Sequence, residues 1–282
     1  MRAMQPLIIA GMHRSGTSVL TTILDDLGLF TGRRVEENHE ATFFLALNNW
    51  LLRQAGASWD YPEPFEDFLA HPELVEARAK QLRHILTMPR ATEYMGLGNY
   101  LRLGDVAAMQ GPWGWKDPRN TFTLPVWQRV FPDAKCLVIH RHGADVASSL
   151  AVRARRLCRD LAANPVTMSR WGWRLPVSNN SFSRCLDLEA SMKLWESYST
   201  TADRHAAAMG GKALVLKYEP FLSDPVTEVK RVLDFAGLPA SNDAIERSVS
   251  KLMREKAFKY RESEPLVALS ERHKTALAAF GY

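Results

Sequence analysis

The first segment able to do chemistry is a glycine-framed loop, Gly11-Met12-His13-Arg14-Ser15-Gly16-Thr17-Ser18, set between the apolar run Leu7 to Ala10 and a helical period at Val19, Leu20, Ile23, Leu24 and Leu27. A strand turning into a helix in this way aims backbone N–H groups and the helix N-terminus at one point, which suits a phosphate or sulfate. The loop is similar to G-x-x-x-x-G-K-[ST], but Thr17 stands where the lysine belongs and the cation comes earlier, at Arg14. An ATP or GTP enzyme needs that lysine on the β- and γ-phosphates, whereas here a guanidinium fork and hydroxyls are supplied instead. The plain alternative is a tight turn that holds no ligand. His13 reads as packed or solvent-facing rather than as a ligand.

Three further segments carry charge in useful places. Cys136 to His140 is an apolar strand followed by Arg141, and Ser149 comes eight positions later in the next helix, so both side chains can face one anion. A structural ion pair of Arg141 with Asp145 is the simpler reading. Glu36, Glu37, His39 and Glu40 follow the first helix and are candidates for a general base, or else exposed acids at a helix end. Trp113-Gly114-Trp115-Lys116-Asp117-Pro118-Arg119 sets a charged cluster behind two tryptophans, which reads as a reactive site or as a buried ion pair at a turn.

The elements that must position these residues alternate. Strands are expected at Leu7–Ala10, Lys135–His140 and Ala213–Leu216. Helices are expected after the first loop, over Thr42 to about Ala55, Leu74–Leu86, Ala144 to about Arg156 and Pro225–Phe235, the last stopped by Gly237 and Pro239. Strands alternating with helices predict an α/β fold with a central parallel sheet flanked by helices in three layers. The 282 residues, 46% apolar and 24% charged, suit one domain over 1–282, with a mobile insertion or loop expected at about 157–185. No apolar run is long enough to span a bilayer and nothing ahead of Gly11 reads as a signal peptide, so no membrane insertion and a cytoplasmic location are expected. Cys136, Cys158 and Cys185 have no metal-ligand spacing and read as thiols. The net charge of +5 is concentrated at Arg153, Arg155, Arg156, Arg159, Arg170 and Arg174, which is either an anion-binding stretch or a solvated helix face. No nucleic-acid module accompanies it, and no carboxylate cluster presents itself for magnesium, so neither nucleic acid nor metal is expected.

Taken together, these motifs resemble the PAPS-dependent sulfotransferases of bacterial type, with segments similar to tyrosyl-protein sulfotransferases. The resemblance implies a P-loop-type fold and transfer of a sulfuryl group from 3′-phosphoadenosine-5′-phosphosulfate (PAPS) to a hydroxyl acceptor. It implies that Arg14, Ser15, Gly16, Thr17 and Ser18 hold the 5′-phosphate and sulfuryl group, and that Arg141 and Ser149 hold the 3′-phosphate. Lys116 then approaches the bridging oxygen. Glu40, which opens Glu-Ala-Thr-Phe-Phe-Leu-Ala-Leu-Asn48, is implied as base, with Glu36 and Glu37 left as alternatives. Tyr218, Glu219 and the following Asp224-Pro225 read as architectural. Arg254, Lys256, Lys259 and Arg261 lie where relatives close a lid over the nucleotide, or form a solvated helix face. The acceptor is expected to be a small hydroxylated metabolite or a glycan, with the aromatics Trp59, Tyr61, Trp171 and Trp173 as lining. The rival reading is a nucleotide-dependent kinase.

Overall fold

The computed structural model describes residues 4–163, 167–169, 172–174, 182–250, 252–253 and 256–282. The first half runs β1 (Leu7–Gly11), α1 (Thr17–Asp26), α2 (Thr42–Gln54), α3 (Pro64–Leu69), α4 (Pro72–Ile85), α5 (Thr92–Met95), α6 (Leu97–Leu103), β2 (Gly114–Lys116) and α7 (Asn120–Val130). The second half runs β3 (Lys135–His140), α8 (Gly143–Ala163), the antiparallel pair β4 (Thr167–Ser169) and β5 (Gly172–Arg174), and α9 (Leu188–Met209). It closes with β6 (Ala213–Lys217), α10 (Tyr218–Ser223), α11 (Pro225–Ala236), α12 (Asn242–Val249), α13 (Glu264–Arg272) and α14 (Lys274–Ala279).

Among the described residues β1, β2, β3 and β6 form one parallel sheet in the order β2-β1-β3-β6. Alternation along each strand feeds two separate cores. Ile8, Ala10, Cys136 and Val138 pack with α2, α4, α7, α8 and α9 on one face, whereas Leu7, Ile9, Leu137 and Ile139 pack with α1, α10, α11 and α12 on the other. Each fully buried Leu or Ile contributes about 1.5–3 kcal/mol by leaving water, so the two cores fix the strand register. The helix after β1 lies on one face and the helix after β3 on the opposite face. The chain therefore diverges between the carboxyl ends of two neighbouring strands, and this is where doubly wound sheets leave a crevice.

Several expected elements extend or sharpen. The strand at Lys135–His140 is found as expected, α2 ends at Gln54, and Gly237 stops α11 in the left-handed region with φ 73°. α8 runs on to Ala163, past the point where a loop was expected to begin; Ala147, Leu150, Ala151 and Ala154 bury one face of its first half, and an Arg156–Asp160 ion pair of 3.8 Å spans the start of the extension. The remainder of the expected insertion lies in part outside the described residues, as do Arg170 and Trp171.

β2 and α7 were not foreseen. β2 is three residues long, and α7 contains Pro125, which ordinarily argues against a helix. Proline has no N–H to give the carbonyl of Thr121, and His205 Nδ1, 2.9 Å away, supplies the missing donor from α9. A carbonyl only accepts, so Nδ1 carries the proton. Burial lowers the pKa of His205 against the pull of that carbonyl, which keeps the ring neutral.

Candidate active site

Gly11 leaves β1 with φ 123°, and a Cβ there would lie 2.4 Å from the carbonyl oxygen of Ile139. Its N–H is bonded to Thr121 Oγ1 at 3.1 Å. Arg14 adopts φ 71°, and Gly16, with φ 93°, starts α1 against the ring of Tyr218, 2.3 Å from where a Cβ would sit. Both glycines are thus demanded by close approach as well as by φ. The N-terminal turn of α1 has no side-chain cap, so its N–H groups are available to an external anion. The Ser15 hydroxyl is buried beneath the loop with no partner among the described residues.

The loop meets the second anion motif directly. Arg14 Nε donates to Ser149 Oγ at 2.8 Å, and Arg141 Nη1 donates to the Arg14 carbonyl at 3.1 Å. The Arg141 guanidinium lies 4.9 Å from the Tyr218 ring centroid and 3.5 Å from Asp145 Oδ2, so the expected ion pair with Asp145 also forms. Its other arm donates to the Lys256 carbonyl at 3.0 Å, while Asp145 Oδ1 accepts the Tyr260 N–H at 2.6 Å. The C-terminal segment is held over Arg141 by these bonds. His142 stacks on Tyr260 with centroids 4.0 Å apart, and Glu219 accepts from the His142 N–H and the Tyr282 hydroxyl. Burial, then the like charges of Arg153 and Arg141, lower the pKa of Arg14.

Glu40, Lys116 and Arg119 form a second charged group in the same cleft as Arg14 and Arg141. Lys116, 1% exposed, spends its three donors on Glu40 Oε1 at 3.1 Å, Ser18 Oγ at 3.3 Å and the Asn38 carbonyl at 2.5 Å. Burial raises the pKa of Glu40; Lys116 opposes the shift and Asp117 adds to it. Arg119 Nη1 lies 3.5 Å from Glu40 Oε2 and donates to Asp117 Oδ1 at 2.9 Å. Burial disfavours charge on Arg119, but Asp117 and Glu40 outweigh it and hold the guanidinium firmly protonated. Beneath them Asn48 uses its full bonding capacity: Nδ2 donates to Asp117 Oδ2 and Asn120 Oδ1, and Oδ1 accepts from Thr123 Oγ1 and Trp127 Nε1, each at 2.8 Å. The charged cluster behind the tryptophans is thus both a buried ion-pair network and part of the cleft. Glu36 faces the cleft too, but its carboxylate caps its own turn by accepting from the N–H groups of Asn38 and Glu40. Glu37 is exposed and does not line the cleft.

One cleft of about 760 Å³ joins these parts: Arg14, Gly16, Thr17, Ser18, Glu40, Lys116, Arg141 and Ser149 all line it, with Ser15 just below. Sequence reasoning had not placed His13, Asn38, Asn48 or Tyr218 in working positions. For Tyr218 the signal was the strand end before Glu219, and for Asn38 there was none, because a backbone carbonyl does the work. Trp59 is a correction: it is buried against His13 and Tyr198 rather than exposed as acceptor lining. Lys256 and Lys259 line the cleft from a turn and the short helix Lys259–Glu262, not from a solvated helix face; Arg254 lies outside the described residues. Among the described residues no group of three or more His, Cys, Asp and Glu is placed to hold a metal, and no helix is long and apolar enough to cross a membrane.

The sequence model of the sulfotransferase family matches residues 6–243. No curated protein matches the chain by sequence. Among solved structures, the sulfotransferase domain of the Synechococcus PCC 7002 olefin synthase aligns with 100% of this chain and 96% of its own, at 18% identity and a TM-score of 0.54. A sulfotransferase from Mycobacterium avium aligns over 98% of this chain and 77% of its own, at 16% identity and a TM-score of 0.50. At such identities the two structures speak to the fold, which is the parallel-sheet fold described above.

Proposed function

The chain belongs to the sulfotransferase family, and from that premise we propose that it moves a sulfuryl group from PAPS to the hydroxyl of a carbohydrate or another hydroxylated metabolite. The observation that carries the donor assignment is the 2.8 Å contact between Arg14 and Ser149, residues 135 positions apart, which brings two anion-binding motifs into one cleft. The N-terminus of α1 with Arg14, Ser15, Gly16, Thr17 and Ser18 takes the 5′-phosphosulfate, and Arg141 with Ser149 takes the 3′-phosphate. Binding exchanges the Arg14–Ser149 bond for bonds to the nucleotide.

Glu40 accepts the proton of the acceptor hydroxyl as its oxygen attacks sulfur in line, while the bond from sulfur to the 5′-phosphate oxygen breaks and its electron pair leaves with the bisphosphate. Lys116 and Arg14 face the charge that develops on the bridging and equatorial oxygens. Lys116 reaches the sulfuryl side by releasing Ser18, the longest of its three bonds. A sulfuryl group carries less charge than a phosphoryl group, so these fixed cations supply the electrostatics without a metal in this proposal. A cytoplasmic location accords with three unpaired cysteines.

Calorimetric titration with 3′-phosphoadenosine-5′-phosphate, AMP and ATP–magnesium tests the donor assignment in wild type and in Arg141→Ala. The bisphosphate is expected to bind at least about tenfold more tightly than AMP, and to lose that advantage in the variant. Equal or tighter binding of ATP–magnesium refutes the assignment and favours a kinase.

A further inference from the structure

This inference rests on the donor assignment above and concerns the acceptor. With the loop, Lys116, Arg141 and Ser149 given to the nucleotide, the remaining wall of the cleft includes apolar Leu45, Pro118, Val152 and Leu266, and the polar pair His13 and Arg153.

Arg153 follows Ser149 by one turn of α8 and is half-buried, with its guanidinium 5.9 Å from the centroid of the Trp59 ring. An indole braces a guanidinium without neutralising it. Among the described residues no carboxylate lies within ion-pair distance of Arg153, whereas Lys116, Arg119 and Arg141 each have one. His13 stands next to it, 7% exposed and edge-on to Trp59, with a buried Nε2 that has no partner among the described residues. Burial, then the charges of Arg119, Arg153, Lys116 and Arg14, hold the His13 pKa well below its usual value. The ring is therefore held neutral, as a hydrogen-bonding group. A corner with one cation and one ring nitrogen unpaired among the described residues, and an apolar border, matches an anion attached to an apolar body.

We infer that the acceptor bears an acidic group, a carboxylate or its equivalent, that pairs with Arg153 beside His13 while its apolar part lies on Leu45, Pro118, Val152 and Leu266. Among hydroxylated metabolites this selects an acidic, partly apolar one over a neutral sugar.

The test uses the full chain saturated with 3′-phosphoadenosine-5′-phosphate and a probe pair differing only in charge, 4-hydroxyphenylacetate and 4-hydroxyphenylacetamide, titrated by ligand-observed NMR. The acid is expected to bind about tenfold or more tightly than the amide. In Arg153→Gln that preference is expected to shrink to about threefold or less, with nucleotide affinity unchanged. Equal binding of acid and amide to wild type, or binding of neither, overturns the inference. A loss of about tenfold or more in nucleotide affinity on Arg153→Gln also overturns it, because the arginine then serves the donor. Failure of wild type to bind the nucleotide is a separate result, and it strikes the donor assignment.

Discussion

Asn48→Leu removes four buried hydrogen bonds while keeping the branched outline of the side chain, and the neighbours show which losses matter. Thr123 keeps a second acceptor in the Arg119 carbonyl, and Asn120 Oδ1 keeps the Trp115 indole. Trp127 Nε1 loses its acceptor, and Asp117 Oδ2 loses the amide that Asn48 supplied while Oδ1 keeps Arg119. A buried neutral donor left unpaired costs about 1–3 kcal/mol and a carboxylate oxygen somewhat more, so the variant is expected to lose about 3–5 kcal/mol after the gain from burying leucine. That is a large share of the ~5–15 kcal/mol that holds most domains together, and it corresponds to a melting temperature lower by roughly 10 °C. Urea unfolding followed by tryptophan fluorescence reads it well, since Trp115 and Trp127 sit inside the network. Asn48→Asp gives an internal control. It keeps acceptors for Thr123 and Trp127 but sets a second carboxylate against Asp117, raising the pKa of one of the pair. A raised carboxylate pKa stabilises the fold at low pH, and that stabilisation disappears as pH rises through it, so the deficit of this variant should grow toward neutral pH. A loss below about 1 kcal/mol in Asn48→Leu refutes the reasoning.

Two other outcomes follow from the site. Because burial raises the pKa of Glu40 and the base works only when deprotonated, kcat/KM should climb with pH along an acid limb lying above the ordinary carboxylate range. Glu40→Gln should abolish that limb with most of the activity, whereas Glu36→Gln should keep it; a limb at the usual carboxylate value counts against Glu40. Gly16→Ala should cost about a hundredfold or more in affinity for the product nucleotide, measured by calorimetry, since its Cβ meets the Tyr218 ring at 2.3 Å in a conformation alanine resists. Retained affinity in that variant means that the loop yields.

What the sequence disclosed and what it withheld divide along physical lines. β1, β3 and β6 are apolar runs next to helical periods, and both the strands and the anion loops at their ends were legible because local pattern determines them. β2 was illegible: at three residues, with one tryptophan between a glycine and a lysine, it is a strand only because β1 supplies its partner. α7 was hidden by Pro125, whose penalty is offset by a histidine some eighty positions away. In the site, Arg14, Arg141 and Ser149 were candidates by type and spacing, Glu40 and Lys116 were singled out by the family resemblance, and all five line one cleft. Asn48 was read only as part of a motif, since its role depends on meeting Asp117 and Asn120 in three dimensions.

The two glycines of the anion loop bear on the order in which this protein takes shape. The walls against which they are fitted, Ile139 and Tyr218, lie 128 and 202 positions further along the chain (139 less 11, and 218 less 16). As synthesis runs from amino to carboxyl end, the loop is made before the two walls that fit its glycines. The loop is therefore expected to take this shape only together with β3 and the start of α10. An interrupted chain carries the motif without the walls that fit it.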